Sequence, residues 1–267
     1  MKKWTMALSL ALAAAATAAT VGQAHAEDLK GREIRLAVDP TYPPLEYKTP
    51  DGKLTGFGVD IANALCAQLN AHCVWVETSF DGMIPGLIAR KFDVISSSMT
   101  ITPKRMEQIA FTNKISNAPA RLVVRRGSPL LPDAASLKGK RVGVEQGTSQ
   151  EDYARAKWQP AGAEIVAYQN QDQVYADLTS GRLDAAFQAS IEASDGFLKR
   201  PEGKDFTFAG GAIDDPKFFG QGDGLGLRKQ DTELRDAFNG ALAAILANGT
   251  YARINKKYFD FDIYGAK

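Results

Sequence analysis

Histidine and cysteine are scarce in this 267-residue sequence, which contains two of each. His25 lies within the signal peptide that is predicted below for residues 1–26, so His72 is the sole histidine of the predicted mature chain. Zinc sites draw on several thiolates and imidazoles, and a Ser-His-Asp triad needs a well-placed histidine. No phosphate loop of the Walker type occurs either. We therefore expect no metal, no cofactor and no triad chemistry.

An excess of one charge is also missing. The chain has 32 basic and 31 acidic residues, a net charge of +1. No global field then favours nucleic acid or an anionic membrane as a partner. Recognition must rest on a local site.

Long apolar segments are confined to the start of the chain. Lys2 and Lys3 precede an apolar run over residues 6–21, and Ala24-His25-Ala26 has the small-residue pattern of a cleavage site. We predict a signal peptide at 1–26 and a mature chain from Glu27. No cysteine near that point indicates a lipid anchor, and no later segment is apolar enough to cross a bilayer. The sequence predicts an exported, soluble product.

The two cysteines, Cys66 and Cys73, are close in sequence. An even pair of this kind in an exported chain predicts a short-loop disulfide.

The segment from Ser97 to Arg105 carries the strongest local signal. It joins a strand-like stretch to a helix start, where Thr102 has the chemistry of an N-cap and Pro103 that of a first helical residue. Free backbone N–H groups at a helix start favour an anion, and the guanidinium of Arg105 matches a carboxylate in a bidentate way. We interpret the segment as a carboxylate clamp; an ordinary capped helix with a solvated arginine is the alternative.

Strand-like and helix-like segments alternate along the chain, a pattern typical of an α/β protein with mainly parallel sheets. The stretches "GLIARKFDVIS" and "DLTSGRLDAAFQ" echo each other weakly, which favours two lobes of similar build with a cleft between them. The predicted strands are 33–38, 73–77, 92–97, 121–125, 141–144, 164–168, 185–188 and one from Gly224; the predicted helices are 58–69, 83–90, 103–108, 151–158, 172–180 and 231–248.

The chain resembles the periplasmic solute-binding proteins of polar amino acid ABC transporters, family 3, and among them the lysine/arginine/ornithine-binding and histidine-binding types. The resemblance runs from about Ile34 to Tyr264. Its most specific pieces are "SFDGMIPGLIARKFDVISSSMTITPKR", "LKGKRVGVEQGTSQE", "DLTSGRLDAA" and "KKYFDFDIYG". Cys66 and Cys73 also match the family's disulfide positions.

The resemblance implies a two-lobed type II fold that closes like a hinge around one amino acid in the periplasm. Lobe 1 would be discontinuous, with residues 27–116 and 222–267; lobe 2 would be residues 117–221 with the hinge segments. Closure of this kind is a ligand-driven shift between open and closed populations. The implied protein is a monomer that delivers its ligand to a membrane permease.

The family's ligand contacts can be carried over by position. Arg105 matches the arginine that grips the α-carboxylate, with Ser97, Ser98 and Thr100 beside it. The aromatic walls would be Tyr42 and Phe80, and the acceptor of a basic side chain would be Asp39. Contacts that close over the ligand would come from Thr148, Ser149 and Gln150.

Three positions depart from the basic amino acid pattern. Gly58 replaces a usual acid, Glu145 a leucine, and Ala189 an aspartate that normally pairs with the α-ammonium. An unpaired buried ammonium would be strongly unfavourable. Either Glu145 takes over as a cation partner, or the ligand is an N-substituted derivative such as an opine. Unchanged specificity with neutral drift is the third alternative.

Two other functions compete with transport. A secreted dehydratase on the same fold would need a placed acid or base, and Glu145 is the unexpected candidate. A ligand-sensing module that signals through a separate membrane partner also stays open. The sequence favours the non-catalytic binding protein for a cationic amino acid.

Overall fold

The structure, a computed structural model, describes residues 29–265. The predicted signal peptide lies outside the described residues. No helix within 29–265 combines the length and the apolar character that a membrane span requires.

Thirteen strands are described: β1 (Glu33–Val38), β2 (Thr41–Tyr42), β3 (Glu46–Lys48), β4 (Leu54–Thr55), β5 (His72–Glu77), β6 (Val94–Ile95), β7 (Ala110–Phe111), β8 (Ala120–Arg125), β9 (Arg141–Glu145), β10 (Glu164–Tyr168), β11 (Ala185–Ala189), β12 (Phe206–Ile213) and β13 (Gly226–Leu227). The helices in the same range are α1 (Phe57–Gln68), α2 (Met83–Ile88), α3 (Pro103–Met106), α4 (Ser149–Lys157), α5 (Gln171–Thr179), α6 (Ser190–Ala193), α7 (Pro216–Phe219), α8 (Thr232–Ala247) and α9 (Thr250–Tyr258). A π-helical turn, Ser194–Leu198, continues α6.

Two five-stranded sheets organise these elements. The first has the order β5-β1-β6-β13-β7 and forms lobe 1; the second has the order β10-β9-β11-β8-β12 and forms lobe 2. A small antiparallel sheet, β2-β3-β4, adjoins the first. The chain therefore builds most of lobe 1, crosses to lobe 2, and returns to lobe 1 at β13.

The expectation of mainly parallel sheets is wrong, because each large sheet is mixed. In lobe 1, β1 is parallel to β5 and β6, whereas β13 is antiparallel to β6 and β7. In lobe 2, β9 is parallel to β10 and β11, whereas β8 is antiparallel to β11 and β12. The antiparallel strands are those through which the chain enters or leaves a lobe, and such strands need not follow the βαβ pattern.

Each lobe has an apolar core on its own sheet. In lobe 1, Phe57 of α1 and Phe238 of α8 pack with Ile34 and Leu36 of β1. In lobe 2, Trp158 and Phe187 are buried against the strands, with ring centroids 4.7 Å apart. The spacing of these apolar residues along α8 and β1 is the helix and strand periodicity on which the sequence predictions depended.

The predicted disulfide between Cys66 and Cys73 is present and joins α1 to β5, with Cα atoms 6.1 Å apart. The strand expected from Gly224 needs correction, because it is limited to β13. The long helix expected over 231–248 is confirmed as α8, and a helix that was not predicted, α9, follows Gly249. Gly249 adopts a φ of +75°, which ends α8 and redirects the chain into α9.

Candidate functional site

A cavity lined by residues of both lobes lies between the two sheets. It sits where β1 and β6 of lobe 1 and β9 and β11 of lobe 2 end, and ligands of open α/β sheets bind at such carboxyl ends of strands. Its lining residues are Tyr42, Phe80, Ser98, Thr100, Arg105, Ala118, Glu145, Thr148, Ser149, Gln150, Gln171, Phe187, Gln188, Ala189, Glu192 and Asp223.

Arg105 is the cation of this cavity. Thr102 caps α3 as predicted, since its Oγ1 accepts a hydrogen bond from the backbone N–H of Arg105. The guanidinium donates from Nη1 to the carbonyl of Thr100 at 2.8 Å and from Nη2 to the carbonyl of Gly147 at 3.1 Å. It forms no salt bridge with any residue of 29–265, and burial lowers its pKa to about 10. A fixed, desolvated guanidinium without a carboxylate partner is suited to bind an anion.

Two aromatic rings line the cavity, and one of them, Phe80, lies against the guanidinium. Tyr42 and Phe80 meet edge to face with centroids 6.0 Å apart, and the guanidinium carbon of Arg105 lies 5.3 Å from the Phe80 centroid. The buried hydroxyl of Tyr42 has no hydrogen-bond partner among the described residues. The pair provides an apolar wall with one polar atom still available.

The loop between β6 and α3 supplies polar groups in two directions. Thr100 and Ser98 line the cavity, whereas Ser97 does not. The Oγ of Ser97 accepts a 3.0 Å hydrogen bond from the backbone N–H of Asp39. The hydroxyl of Ser98 lies 3.0 Å from each carboxylate oxygen of buried Glu46. Ser97 thus lies behind the wall, where it fixes the end of β1.

Asp39 also lies behind the cavity wall and not on its lining. Its side chain is 3% exposed, and its Oδ1 accepts a 2.8 Å hydrogen bond from the Thr41 hydroxyl. Burial raises its pKa. The predicted contact between Asp39 and a ligand stays a prediction; the charge of Asp39 raises the pKa of Glu145, which lines the cavity.

Glu145, the last residue of β9, lines the cavity with a 1% exposed side chain. Both of its carboxylate oxygens lack a hydrogen-bond partner within residues 29–265. Burial first, and then the charge of Asp39, raises the pKa of Glu145 well above its usual value. The nearby hydroxyl of Tyr42 acts against this rise, and a cation or further donors on an occupant of the cavity would stabilise the buried carboxylate more.

The start of α4 closes one side of the cavity. Thr148 is its N-cap, accepting from the backbone N–H of Glu151 at 3.2 Å and donating to the carbonyl of Glu145 at 2.7 Å. Ser149 and Gln150 follow in the first turn and also line the cavity. Helix capping and a place on the cavity wall coexist here, so the structural and binding interpretations of this turn are compatible.

The lobes touch around the cavity rim. Lys104 of lobe 1 forms a 2.8 Å salt bridge with Asp152 of lobe 2. A Cβ placed on Gly147 would lie 2.9 Å from the Cα of Asp81. The structure therefore has the lobes in close contact around the site.

Sequence reasoning missed several lining residues, chiefly Gln171, Gln188, Glu192 and Asp223. Buried side-chain atoms of Gln171, Gln188 and Glu192 have no partner among the described residues. Glu192 stands one helical turn after the end of β11, a spacing that could have indicated it. Asp223 lies between two glycines, in a stretch expected to be a simple strand entry.

Besides Glu145, the other two departing positions differ in their setting. Ala189 lines the cavity. Gly58 does not; a Cβ there would lie 2.0 Å from Oε1 of Glu46, so this buried carboxylate occupies the space beside Gly58. The Glu46 side chain from β3 thus takes the place of a side chain at position 58, and Gly58 lines a smaller neighbouring cavity that shares Ser98 and Asp223 with the main one.

Comparison with known proteins decides the family. Residues 34–261 match the model of the bacterial extracellular solute-binding proteins, family 3. The chain belongs to this family. A histidine-binding periplasmic protein of Salmonella typhimurium is 52% identical over 266 residues, covering 99% of this chain and 100% of the relative. A lysine/arginine/ornithine-binding periplasmic protein of Escherichia coli is 49% identical over 265 residues, covering 99% and 100%.

Solved structures agree with this family fold of two lobes. A Salmonella typhimurium periplasmic binding protein described for high arginine specificity matches with a TM-score of 0.79 and 33% identity, over 86% of this chain and 100% of that one. An ancestral arginine-binding protein bound to arginine matches with a TM-score of 0.80 and 31% identity, over 86% and 99%. These relatives are binding proteins by their descriptions.

Proposed function

We propose that this protein is the substrate-binding component of an ABC importer and binds a cationic amino acid of the arginine, lysine, ornithine or histidine type. The observation that carries the proposal is the composition of one buried cavity. It contains a guanidinium without a carboxylate partner, Arg105, and an acid without a cation partner, Glu145, both considered within residues 29–265. A ligand with a carboxylate and a distal cation satisfies both.

The aromatic wall supports the same class of ligand. Tyr42 and Phe80 present apolar surface to the cavity that holds Arg105 and Glu145. An aliphatic stem packs on such faces by dispersion, and a cationic head group is attracted to them. The buried carboxyl group of Asp39 is close enough to Glu145 to raise its pKa, which adds negative charge to this part of the protein. The names of the relatives, which specify histidine, lysine, arginine and ornithine, agree with this inference.

The lobe boundaries at 116/117 and 221/222 form part of the proposal, with the crossing segments as the hinge. Ser116 and Asp223 form an antiparallel bridge, so the two crossings lie side by side there. Adjacent crossings allow one lobe to rotate against the other about a common line. Contacts such as Lys104–Asp152 would break on opening and re-form on closure.

The rest of the proposal concerns location, assembly and the absence of catalysis. The protein acts in the periplasm after removal of residues 1–26, as a monomer without a cofactor, and passes its ligand to a membrane permease. The role is binding without catalysis. A ligand recovered unchanged after prolonged incubation with the protein, measured by mass spectrometry, is the expected result; a dehydrated product would instead favour the dehydratase.

The direct test is calorimetry of the protein from Glu27, unfolded and refolded to remove bound ligand. L-arginine, L-lysine, L-ornithine and L-histidine are titrated, with L-glutamine and L-glutamate as neutral and acidic controls. At least one cationic amino acid should bind at least tenfold more tightly than either control. Binding confined to the controls, or to no amino acid, would overturn the proposal.

A further inference from the structure

Glu192 is an acid that lines the cavity, and the carboxylate clamp of Arg105 does not require it. It lies on α6, three residues after Ala189, and its side chain is 5% exposed. Its Oε2 has no hydrogen-bond partner in the part of the chain that is described. Burial raises the pKa of Glu192 to about 8, and the charge of Asp223 acts in the same direction.

Asp223 provides a second carboxylate on the same side. Its backbone forms isolated antiparallel β-bridges with Thr100 and with Ser116. Its side-chain Oδ2 accepts a 3.2 Å hydrogen bond from the Ser116 hydroxyl. Burial raises its pKa to about 6, while the guanidinium of Arg105 opposes the rise. Asp223 therefore lies within the electrostatic reach of both Glu192 and Arg105.

The acids of the site thus fall into two groups. The backbone of Asp223 forms a β-bridge with Thr100, whose carbonyl oxygen accepts a hydrogen bond from Nη1 of Arg105. The charge of Asp223 raises the pKa of Glu192. Glu145 instead interacts most strongly with Asp39, at the end of β1. By geometry, Asp223 lies beside the carboxylate clamp, and Glu192 lines the same cavity one helical turn after Ala189.

The covalent structure of an α-amino acid assigns these groups. Its carboxylate and its ammonium are bonded to one carbon, so the partner of the ammonium must lie next to the partner of the carboxylate. We propose that Glu192, together with Asp223, forms the subsite for a free α-ammonium group, and that Glu192 replaces the carboxylate that Ala189 cannot supply. This inference rests on the proposed function and specifies which acid receives which cation.

The assignment opposes an opine as the ligand. The nitrogen of an opine carries an additional carboxylate, which would be brought against Glu192 and Asp223. Like charges in a buried setting repel strongly, and the nitrogen would have fewer N–H groups to donate. In this assignment Glu145 does not bind the α-ammonium group, and it can bind the distal cation of the ligand.

The experiment is a two-by-two comparison of protein and ligand. Wild type and Glu192→Gln are titrated with L-arginine and with 5-guanidinopentanoate, which lacks only the α-ammonium. Glu192→Gln should weaken L-arginine binding roughly 10- to 100-fold and change 5-guanidinopentanoate binding less than about threefold. Glu202→Gln, which removes an exposed acid of the same lobe, should change neither.

Equal effects of Glu192→Gln on the two ligands, or no effect on L-arginine, would overturn the subsite. Thermal melts establish that Glu192→Gln is folded, and Asp223→Asn serves as a second variant with the same ligand-selective loss expected. If wild type prefers a neutral or acidic amino acid, the proposed specificity fails, and the same comparison is made with that amino acid and its des-amino analogue. Binding of octopine or nopaline without binding of any primary α-amino acid would also overturn the subsite.

Discussion

The Nη2 atom of Arg105 in lobe 1 donates a 3.1 Å hydrogen bond to the carbonyl oxygen of Gly147 in lobe 2. The residue proposed to hold the ligand carboxylate therefore also joins the lobes. Closure of the lobes and binding of the ligand carboxylate both involve the Arg105 side chain. We therefore expect closure to strengthen carboxylate binding, and carboxylate binding to favour the closed state.

Substitution of Gly147 by alanine tests the lobe contact. Gly147 has a φ of +79°, and an added Cβ would lie 2.9 Å from the Cα of Asp81 across the cleft. Gly181 has a nearly equal φ of +77° with no atom near its Cβ position, so Gly181→Ala is a matched control for backbone strain. Calorimetry should show about tenfold weaker binding for Gly147→Ala and unchanged binding for Gly181→Ala. Equal affinities for the two variants would show that this contact does not limit closure.

Replacement of Arg105 by lysine tests the geometry of the clamp. Lysine keeps the charge but lacks the planar fork that binds a carboxylate through two parallel hydrogen bonds. We expect Arg105→Lys to weaken L-arginine binding roughly 10- to 100-fold and Arg105→Ala to weaken it further. Arg155→Lys, on the exposed face of α4, is the control and should leave affinity unchanged. Retained affinity in Arg105→Ala would refute the clamp.

The pH dependence of stability follows from the buried acids. The pKa of Glu192 is raised by burial from 4.5 to about 8 in the folded protein. Between these values the folded state binds more protons than the unfolded state, so the free energy of unfolding of the ligand-free protein falls as pH rises. Thermal midpoints from pH 5 to pH 8 should decline in wild type and in Glu202→Gln, and less steeply in Glu192→Gln. An equal slope in all three proteins would contradict a buried, ionising Glu192.

Ligand binding should release protons over the same range. A cationic ligand favours the ionised forms of Glu192 and Asp223, and burial raises the pKa of Asp223 to about 6. Affinity for L-arginine is therefore expected to rise from pH 5 to pH 8. Calorimetry in two buffers of different ionisation enthalpy measures the protons released. Proton uptake on binding would contradict the assignment.

Much of the fold could be predicted from sequence because local and tertiary preferences agree. The apolar pattern of β1, the N-cap at Thr102 and the disulfide pair are examples of such agreement. The antiparallel strand β13 and helix α9 could not be placed. β13 has two residues, whose pairing depends on the return of the chain from lobe 2. The break before α9 depends on one glycine in the left-handed region.

A site residue could be predicted where the residues that indicate it lie in one short segment of sequence. It was harder to predict where the site is formed by segments distant in sequence. Arg105 follows its own cap within four residues, so local chemistry indicated it. Glu192 and Asp223 come to line the same cavity as Arg105 only through the crossing of the chain between lobes. Asp39 directly follows β1, so its place at the strand end could be predicted, whereas its hydrogen bonds to Thr41 and Ser97 could not.

The disulfide should stabilise the protein without tuning its site. Cys66 and Cys73 are seven residues apart, and neither lines the cavity. Loop-closure entropy for a ring of this size gives about 2 kcal/mol of stabilisation. Replacement of both cysteines by alanine should lower the free energy of unfolding in urea by about that amount and leave the affinity for L-arginine unchanged. A large loss of affinity in a folded double variant would show that α1 and β5 are coupled to the cleft.

The exchange of carboxylates between positions 189 and 192 can be tested by rescue. Ala189 lines the cavity at the end of β11, and Glu192 follows it by one turn of α6. In a Glu192→Gln background, Ala189→Asp returns one carboxylate to the same side of the cavity, so L-arginine affinity should recover about tenfold. Ala189→Asn, equal in size but neutral, should recover none. In the presence of Glu192, Ala189→Asp should gain much less, because two buried like charges raise each other's pKa. This non-additivity is the expected signature of two positions that serve one ammonium, and additive effects would contradict it.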